Sequence, residues 1–398
     1  MTLLLKENIT PNTISQFKKR PVARLVTLTL SLAGYGIINS RAYAQSVPLP
    51  CNVTGAINVT SDTSNDAPCT IESGGSVSID FSSTLTNRNL LTNNGILGNY
   101  GTLTNDDYLQ NNGTLTNNGT LTNNDFLANI GTLTNNGTLS NKSFLFNYGT
   151  LTNNVNLDND GILGNYGTLT NDGNLRNNNV GTLTNNTTLN NNGFLINHGT
   201  LRNVGTLDNN GALNNDGTLN SDGTLNNDGT LTNRGTVANN DTLNNNDALI
   251  NYGTLNNNGT LTNRGTLHNF YGTLNNGDLL TNLSTLTNDG RLTNHGTLAN
   301  VSGATLTNFG TLTNNRALTN NGSLTNNGAL TNNGALTNNG TLTNNGILTN
   351  DATLTNNGTL TNDDTLTNDD TLNNDDYLQN NGTLTNNGTL TNNDFLAN

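Results

Sequence analysis

Residues Asn374 to Asn398 read NDDYLQNNGTLTNNGTLTNNDFLAN, and the same letters occupy Asn105 to Asn129. Inside this block a six-residue word, T-L-T-N-N-G, repeats, and it governs the chain from about Thr84 to the last residue. Leu recurs every six residues from 85 to 175, from 183 to 267, from 274 to 298 and from 306 to 396, giving 52 hexads with insertions of two, one and two residues at the joins. Only Val237 breaks the Leu column, and only Ser221 breaks the Asn column two places after it.

A period of six is a multiple of two and a poor match to 3.6, so the pattern belongs to strands. Alternation puts Leu, the following Asn and the Gly on one side and the two Thr on the other. One bulky apolar residue per strand makes a thin core, so no strand is stable alone. Stacking is required, and fixed-period self-similarity is the mark of a solenoid. Asn-Asn-Gly supplies the corners, and the expectation is that Gly and Asn serve there by tolerating positive φ. Pro is absent from the repeat, as ladders that use every N–H require.

The number of hexads per coil follows from the residue before Leu. It is apolar at Tyr108, Phe126, Phe144 and Ile162, each 18 apart, and Ile130, Tyr148 and Tyr166 keep the same spacing. Phe194, Ala212 and Ala248 again differ by 18 and 36; Ile96 does not fit. The fold expected is therefore an all-β, parallel β-solenoid of triangular section with about 18 residues per coil and handedness left open. Its hexads would make about 17 coils and a rod of about 80 Å at 4.8 Å per coil. The competing reading is a disordered, Asn/Gly-rich low-complexity spacer. Strict Leu and Asn columns favour the solenoid, which must draw on backbone and Asn side-chain ladders because its apolar core is small.

Residues 1–44 read as an export signal. Lys18, Lys19, Arg20 and Arg24 precede an apolar stretch from Leu25 to Ile38, too short to span a bilayer, and Ala42-Tyr43-Ala44 offers a cleavage site. With no later apolar run, the mature chain has no transmembrane segment and is expected to be secreted or held at the cell surface. The whole chain carries a net charge of −13. Losing 1–44 removes six of the 14 basic and one of the 27 acidic residues and leaves −18, a surface that repels nucleic acid and anionic membrane.

Residues 45–83 lack the hexad and read as an amino-terminal cap over the first coil. They hold the only two cysteines, Cys51 and Cys69, which an oxidising compartment would allow to pair. Residues 84–398 are the repeat body. They stop in mid-pattern, so self-association through an open carboxy-terminal coil, or a continuation of the chain, is expected. The joins at 177–181, 269–271 and 301–304 are expected to protrude as loops.

Reactive chemistry is sparse. The mature chain has one Glu, Glu72, and three scattered His (198, 268 and 295). No Cys/His pair, G-x-S-x-G or phosphate-cradling loop occurs, so no enzymatic activity, catalytic residue, metal centre or cofactor is expected. Asp363/Asp364, Asp369/Asp370 and Asp375/Asp376, with Asp106/Asp107 earlier, fall on separate corners; a single pair with backbone carbonyls could hold Ca²⁺ weakly. Two outward Thr flank each Leu, a regular lattice that resembles the ice-binding face of threonine-rich solenoid antifreeze proteins. Phe126, Phe144-Leu145-Phe146 and Phe194-Leu195-Ile196 are expected to interrupt it. Tyr108, Phe126, Phe144, Tyr148, Ile162, Tyr166 and Phe194 form instead a candidate contact stripe for a surface glycan or protein ligand.

The motif L-x-N-x-G, as in Leu115-Thr116-Asn117-Asn118-Gly119, together with the long export signal, resembles repeats of bacterial filamentous-haemagglutinin-like and autotransporter adhesins. That resemblance covers about 80 % of the chain. It implies a parallel β-helix displayed at, or released from, a Gram-negative cell surface. Neither that family's amino-terminal secretion domain nor a carboxy-terminal barrel is recognisable here. The hexad length is also similar to that of left-handed hexapeptide-repeat acyltransferases. Those enzymes place a small or acidic residue after the aliphatic one, where this chain has Thr or Asn, and they carry a catalytic His in a loop. The reading is an exported, non-catalytic structural or adhesive rod, with an ice-binding or other Thr-lattice solenoid as the alternative.

Overall fold

A computed structural model describes residues 47–398. The described residues are all β, forming 57 short strands that run from β1 (Val47–Pro48) to β57 (Phe395–Ala397). From Ala56–Val59 on, each strand pairs in parallel with the strand three further on, and β1 pairs with Thr63–Asn65, so three sheets run side by side along one axis. We number them faces 1, 2 and 3, carrying for example Thr120–Asn123, Tyr108–Asn111 and Thr114–Asn117. About 18 residues complete a coil, and 19 coils at 4.8 Å give a length of about 90 Å.

Winding begins before the hexads do. β2 (Ala56–Val59) pairs with β5 (Ser76–Ile79), which pairs in turn with Ile96–Asn99. β3 (Thr63–Asn65) pairs with β6 (Thr84–Asn87), and β4 (Cys69–Ile71) with Leu91–Asn93. Residues 47–83 are thus the first coils of the same solenoid. Val77 and Cys69 stand in the core where Leu stands later, while Val53, Val59, Ile71 and Ile79 fill the positions that the column Asn takes over. The strand alternation visible at 77, 79 and 81 holds for the first two; Phe81 lies outside, 84 % exposed.

The interior of each coil is built from two residue types. From Leu85 to Leu378 every column Leu, and Val237, is at most 1 % exposed. The column Asn is equally buried and makes a ladder. Asn111 Nδ2 donates to Asn129 Oδ1 at 2.7 Å and to the Thr132 carbonyl at 2.8 Å, and Asn129 repeats both bonds one coil on. A buried primary amide needs this pattern, since two donors and an acceptor left unmet would cost several kcal/mol.

The ladder explains its own defects. Because each Asn donates toward the carboxy-terminal coil, the lowest Asn of each column has an acceptor with no donor beneath it, Ile71 and Ile79 lying under Asn93 and Asn99. Asn65, Asn93 and Asn99 are these three feet, and their Oδ1 atoms are buried without a partner. One further orphan occurs in mid-column, at Asn239 Oδ1. The residue below it is Ser221, whose hydroxyl accepts from Asn203 at 3.2 Å and donates to the Gly223 carbonyl at 2.9 Å. No donor is left for Asn239.

The corner glycines do not serve as expected. Among the described residues positive φ occurs at Asn52, Tyr271 and Gly303 only, not at the repeat corners. Close approach is what requires Gly: a Cβ on Gly113 would collide with the Gly95 carbonyl oxygen one coil below, and Gly119 faces Gly101 in the same way. The tight corner also lets two successive amides share one acceptor, Asn112 and Gly113 both donating to the Asn93 carbonyl. The three joins form turns at 178–181, 270–272 and 301–304, and Val180 and Tyr271 protrude from them, 79 % and 76 % exposed.

Candidate functional site

With an interior this uniform, only the outer surface distinguishes one coil from another. On face 2, Tyr108, Phe126, Phe144 and Ile162 form one outward column in direct register. Ile130, Tyr148 and Tyr166 follow at the adjoining corner. The structure brings six of the seven expected contact residues onto this patch. Phe194 is not among them; it pairs with Asn174 and Ala212 on face 1.

Phe146, expected only as an interruption of the Thr lattice beside the seven contact residues, completes the patch. Phe146 lies between the strand column and the corner column, with its ring centroid 5.4 Å from that of Phe126, 6.2 Å from Phe144, 6.4 Å from Tyr148 and 6.1 Å from Tyr166. Its register neighbours are Ala128 and Gly164. The small residues make room for the ring: Ala128 is covered, and a Cβ on Gly164 would come within 2.7 Å of the Phe146 ring. Alternation places 144 and 146 on one side, and small residues 18 before and 18 after 146 are the signal that could have found it.

Ring orientation limits what the patch can do. Tyr108 stacks on Phe126 at 4.8 Å and 8°, and Tyr148 on Tyr166 at 5.2 Å and 15°. These faces are used between coils, which stabilises the stack, and the patch turns mainly ring edges and Ile side chains outward. Burial raises the Tyr108 and Tyr148 hydroxyls above the ordinary tyrosine range, Tyr148 being raised further by Tyr166 and Tyr108. At the adjoining corner Asp125 is raised by burial and then by Asp107 one coil below.

The threonines arrange themselves differently from expectation. The aromatic interruptions fall on faces 2 and 1, so they leave face 3 untouched. There Thr114, Thr132, Thr150, Thr168, Thr188, Thr206, Thr224, Thr242 and Thr260 form one unbroken column. Thr116, Thr134, Thr152 and Thr170 make a second column beside its first four coils.

The polar groups singled out by sequence are dispersed. His198 contacts Asp216 at 3.3 Å and His268 contacts Asp289 at 2.6 Å, on different coils; His295 lies beside Asn315. Asp363, Asp369 and Asp375 sit at three corners of one coil, and each accepts from the Asn one coil above, at 2.7, 2.8 and 2.6 Å. Among the described residues no three His, Cys, Asp or Glu side chains come together as metal ligands. Val180 flanks a shallow recess with Asp160, Asn178 and Asn179. Cys51 is exposed and Cys69 buried, both as thiols. Burial, and then the neighbouring Cys51, push the Cys69 thiol up to about 12.

Among the described residues no helix is long and apolar enough to cross a membrane. Comparisons of the chain with protein-family profiles, with curated proteins and with solved structures find no match.

Proposed function

We propose that the chain is an exported, non-catalytic rod of the bacterial cell surface, acting as a rigid spacer and an adhesive of the filamentous-haemagglutinin or autotransporter kind. The export signal proposed for residues 1–44 lies outside the described residues. The observation that carries the adhesive part is the aromatic field on face 2. Phe144, Ile130, Tyr148, Ile162 and Tyr166 stay 39–47 % exposed on a scaffold that needs none of them for its interior. Exposed apolar patches of this kind on soluble proteins mark contact surfaces. A surface glycan or protein is the ligand class. Ring edges and aliphatic groups favour a protein surface over face-on sugar stacking.

The test is binding of the secreted chain to host-cell, protein and glycan arrays, with Phe144→Ser/Tyr148→Ser beside a control pair, Thr132→Ser/Thr150→Ser. Loss of binding with the first pair alone supports the proposal. Undiminished binding by the first pair would remove face 2 from the adhesive role.

A second reading rests on face 3. Its Thr column is unbroken through nine coils, which suits binding to an ordered water lattice. Thermal hysteresis abolished by Thr132→Lys/Thr150→Lys and kept by the face 2 pair would establish it.

A further inference from the structure

The corner asparagines form a second set of ladders, and these run opposite to the interior ones. Asn112 Nδ2 donates down to Asn94 Oδ1 at 2.8 Å, Asn136 to Asn118 at 2.9 Å, and Asn339 to Asn321 at 2.9 Å. Where an Asp takes part it only accepts, as Asp106, Asp172 and Asp222 do from the Asn one coil above. A carboxylate cannot donate, so negative charge fits only at the foot of an outer ladder.

Many of these asparagines precede Gly, the pair in which a backbone nitrogen most easily reaches the side-chain carbonyl because no side chain on the second residue stands in the way. Two bonds oppose that attack at corners such as Asn112-Gly113 and Asn339-Gly340. The Gly N–H is held by the coil below, as Gly340 is by the Asn320 carbonyl at 3.0 Å, and the Asn carboxamide is held by its ladder.

Asn321 escapes both, as does the half-buried Asn94 before Gly95. The coil beneath Asn321 is widened by the turn at 301–304, so its Nδ2 faces Val301 and has no partner. Gly322, seated over Ala304, donates its N–H to nothing, and Asn321 itself is exposed.

We propose that Asn321 is a site of spontaneous deamidation built into this corner, with Asn339 directly above it protected. The Gly322 nitrogen attacks Asn321 Cγ; the N–Cγ bond forms, the Cγ–Nδ2 bond breaks, ammonia leaves with the nitrogen's proton, and a cyclic imide results. Water then opens the imide at either carbonyl, giving aspartate or isoaspartate. The aspartate product suits the place, because it still accepts from Asn339 and now does so as a charged acceptor. Isoaspartate inserts a methylene into the backbone and shifts the register of the next strand. The corner thus adds negative charge with age at one position and leaves the ladder above intact.

Asn320-Asn321-Gly322-Ser323 and Asn338-Asn339-Gly340-Thr341 are near-identical words on adjacent coils, so one serves as the control for the other. The folded chain is incubated in mildly alkaline buffer and aspartate and isoaspartate are counted by peptide mass spectrometry at both positions, in parallel with the chain in denaturant. Position 321 is expected to react on the order of thirtyfold faster than 339 in the folded chain, the equivalent of two hydrogen bonds of about 1 kcal/mol each. In denaturant the two rates should converge. Asn321→Asp should melt with the wild type, whereas Asn339→Asp should melt lower. Equal rates at the two positions in the folded chain, or a folded ratio no different from the denatured one, would overturn the proposal.

Discussion

The coils spanning residues 102–171 and those spanning 305–374 have the same inside and different outsides. In both, column Leu and Asn are at most 1 % exposed, and inner amides bond at 2.6–2.8 Å, as Asn147 does to Asn165 and Asn332 to Asn350. Outside, the first region carries the aromatic field on face 2 and double Thr columns on face 3. The second carries mostly Thr and Ala there, as at Thr305, Ala329 and Ala335, with Ser323 on face 1 and a lone exposed Ile347 on face 2. Winding is therefore set by two columns, and the remaining positions are free to specialise. The duplicated block makes the same point. Tyr377 stacks on Phe395 at 4.9 Å and 5°, nearly the geometry of Tyr108 on Phe126, yet it does so on face 1. The same letters have been laid down on a different face without loss of the motif.

If the interiors are equivalent, damage to them should be equal in both regions. Asn147→Asp and Asn332→Asp each replace a double donor with a buried acceptor facing the next Oδ1 and a Thr carbonyl. Each is expected to cost about 4 kcal/mol, the range for an uncompensated buried charge. Hydrogen exchange should show protection lost over the mutated coil and its neighbours. A loss much smaller in the 305–374 region would break the equivalence.

The interior can also be improved at its one mid-column defect. Ser221→Asn restores the amide found at that position in every other hexad and gives Asn239 Oδ1 a donor. The expected gain is about 1–2 kcal/mol, read as a higher denaturant midpoint.

Much of this was legible because the fold turns on strict repetition. Leu and Asn columns gave the period, the stacking and the three-sided coil, since a period of six admits no helical reading. Three features were not legible. The reason for Gly at the corners depends on the distance to the coil below, which no single hexad reveals. Ladder direction, and with it the orphans at Asn65, Asn93 and Asn99, is a choice between two senses that a composition of Asn cannot express. Phe194 joins the expected stripe only as a further exposed aromatic; counting hexads, which the turn at 178–181 does not disturb, puts it on face 1. The aromatics interrupt the outward columns of faces 2 and 1, as expected, but not those of face 3.

The outer surface can be probed with one word used twice. I-L-G-N occurs at 96–99 and 162–165. A Cβ on Gly98 meets the Tyr100 ring at 3.6 Å and the Val77 carbonyl at 4.0 Å, ordinary contacts, whereas one on Gly164 meets the Phe146 ring at 2.7 Å. Gly98→Ala should stabilise by about 0.5 kcal/mol, because Gly is a poor strand residue. Gly164→Ala should destabilise by about 1 kcal/mol and move Phe146, with the near-ultraviolet circular dichroism of the tyrosines changing alongside. Identical effects at both positions would mean that Phe146 is not seated between Ala128 and Gly164.

The smallest effect expected concerns the charge beside the patch. Asp125 is held above the ordinary carboxyl value by burial and by Asp107, so the fold disfavours its ionised form. Its share of stability is intact below the unfolded carboxyl value and is lost as pH rises through the higher folded value. Acidification from neutrality into the carboxylate range should therefore raise the melting temperature slightly, at low salt more than at high. Asp125→Asn should melt above the wild type near neutral pH, and the gap should close as the solution is acidified. A gap independent of pH would place the benefit of the substitution in packing at the corner and leave electrostatics no part in it.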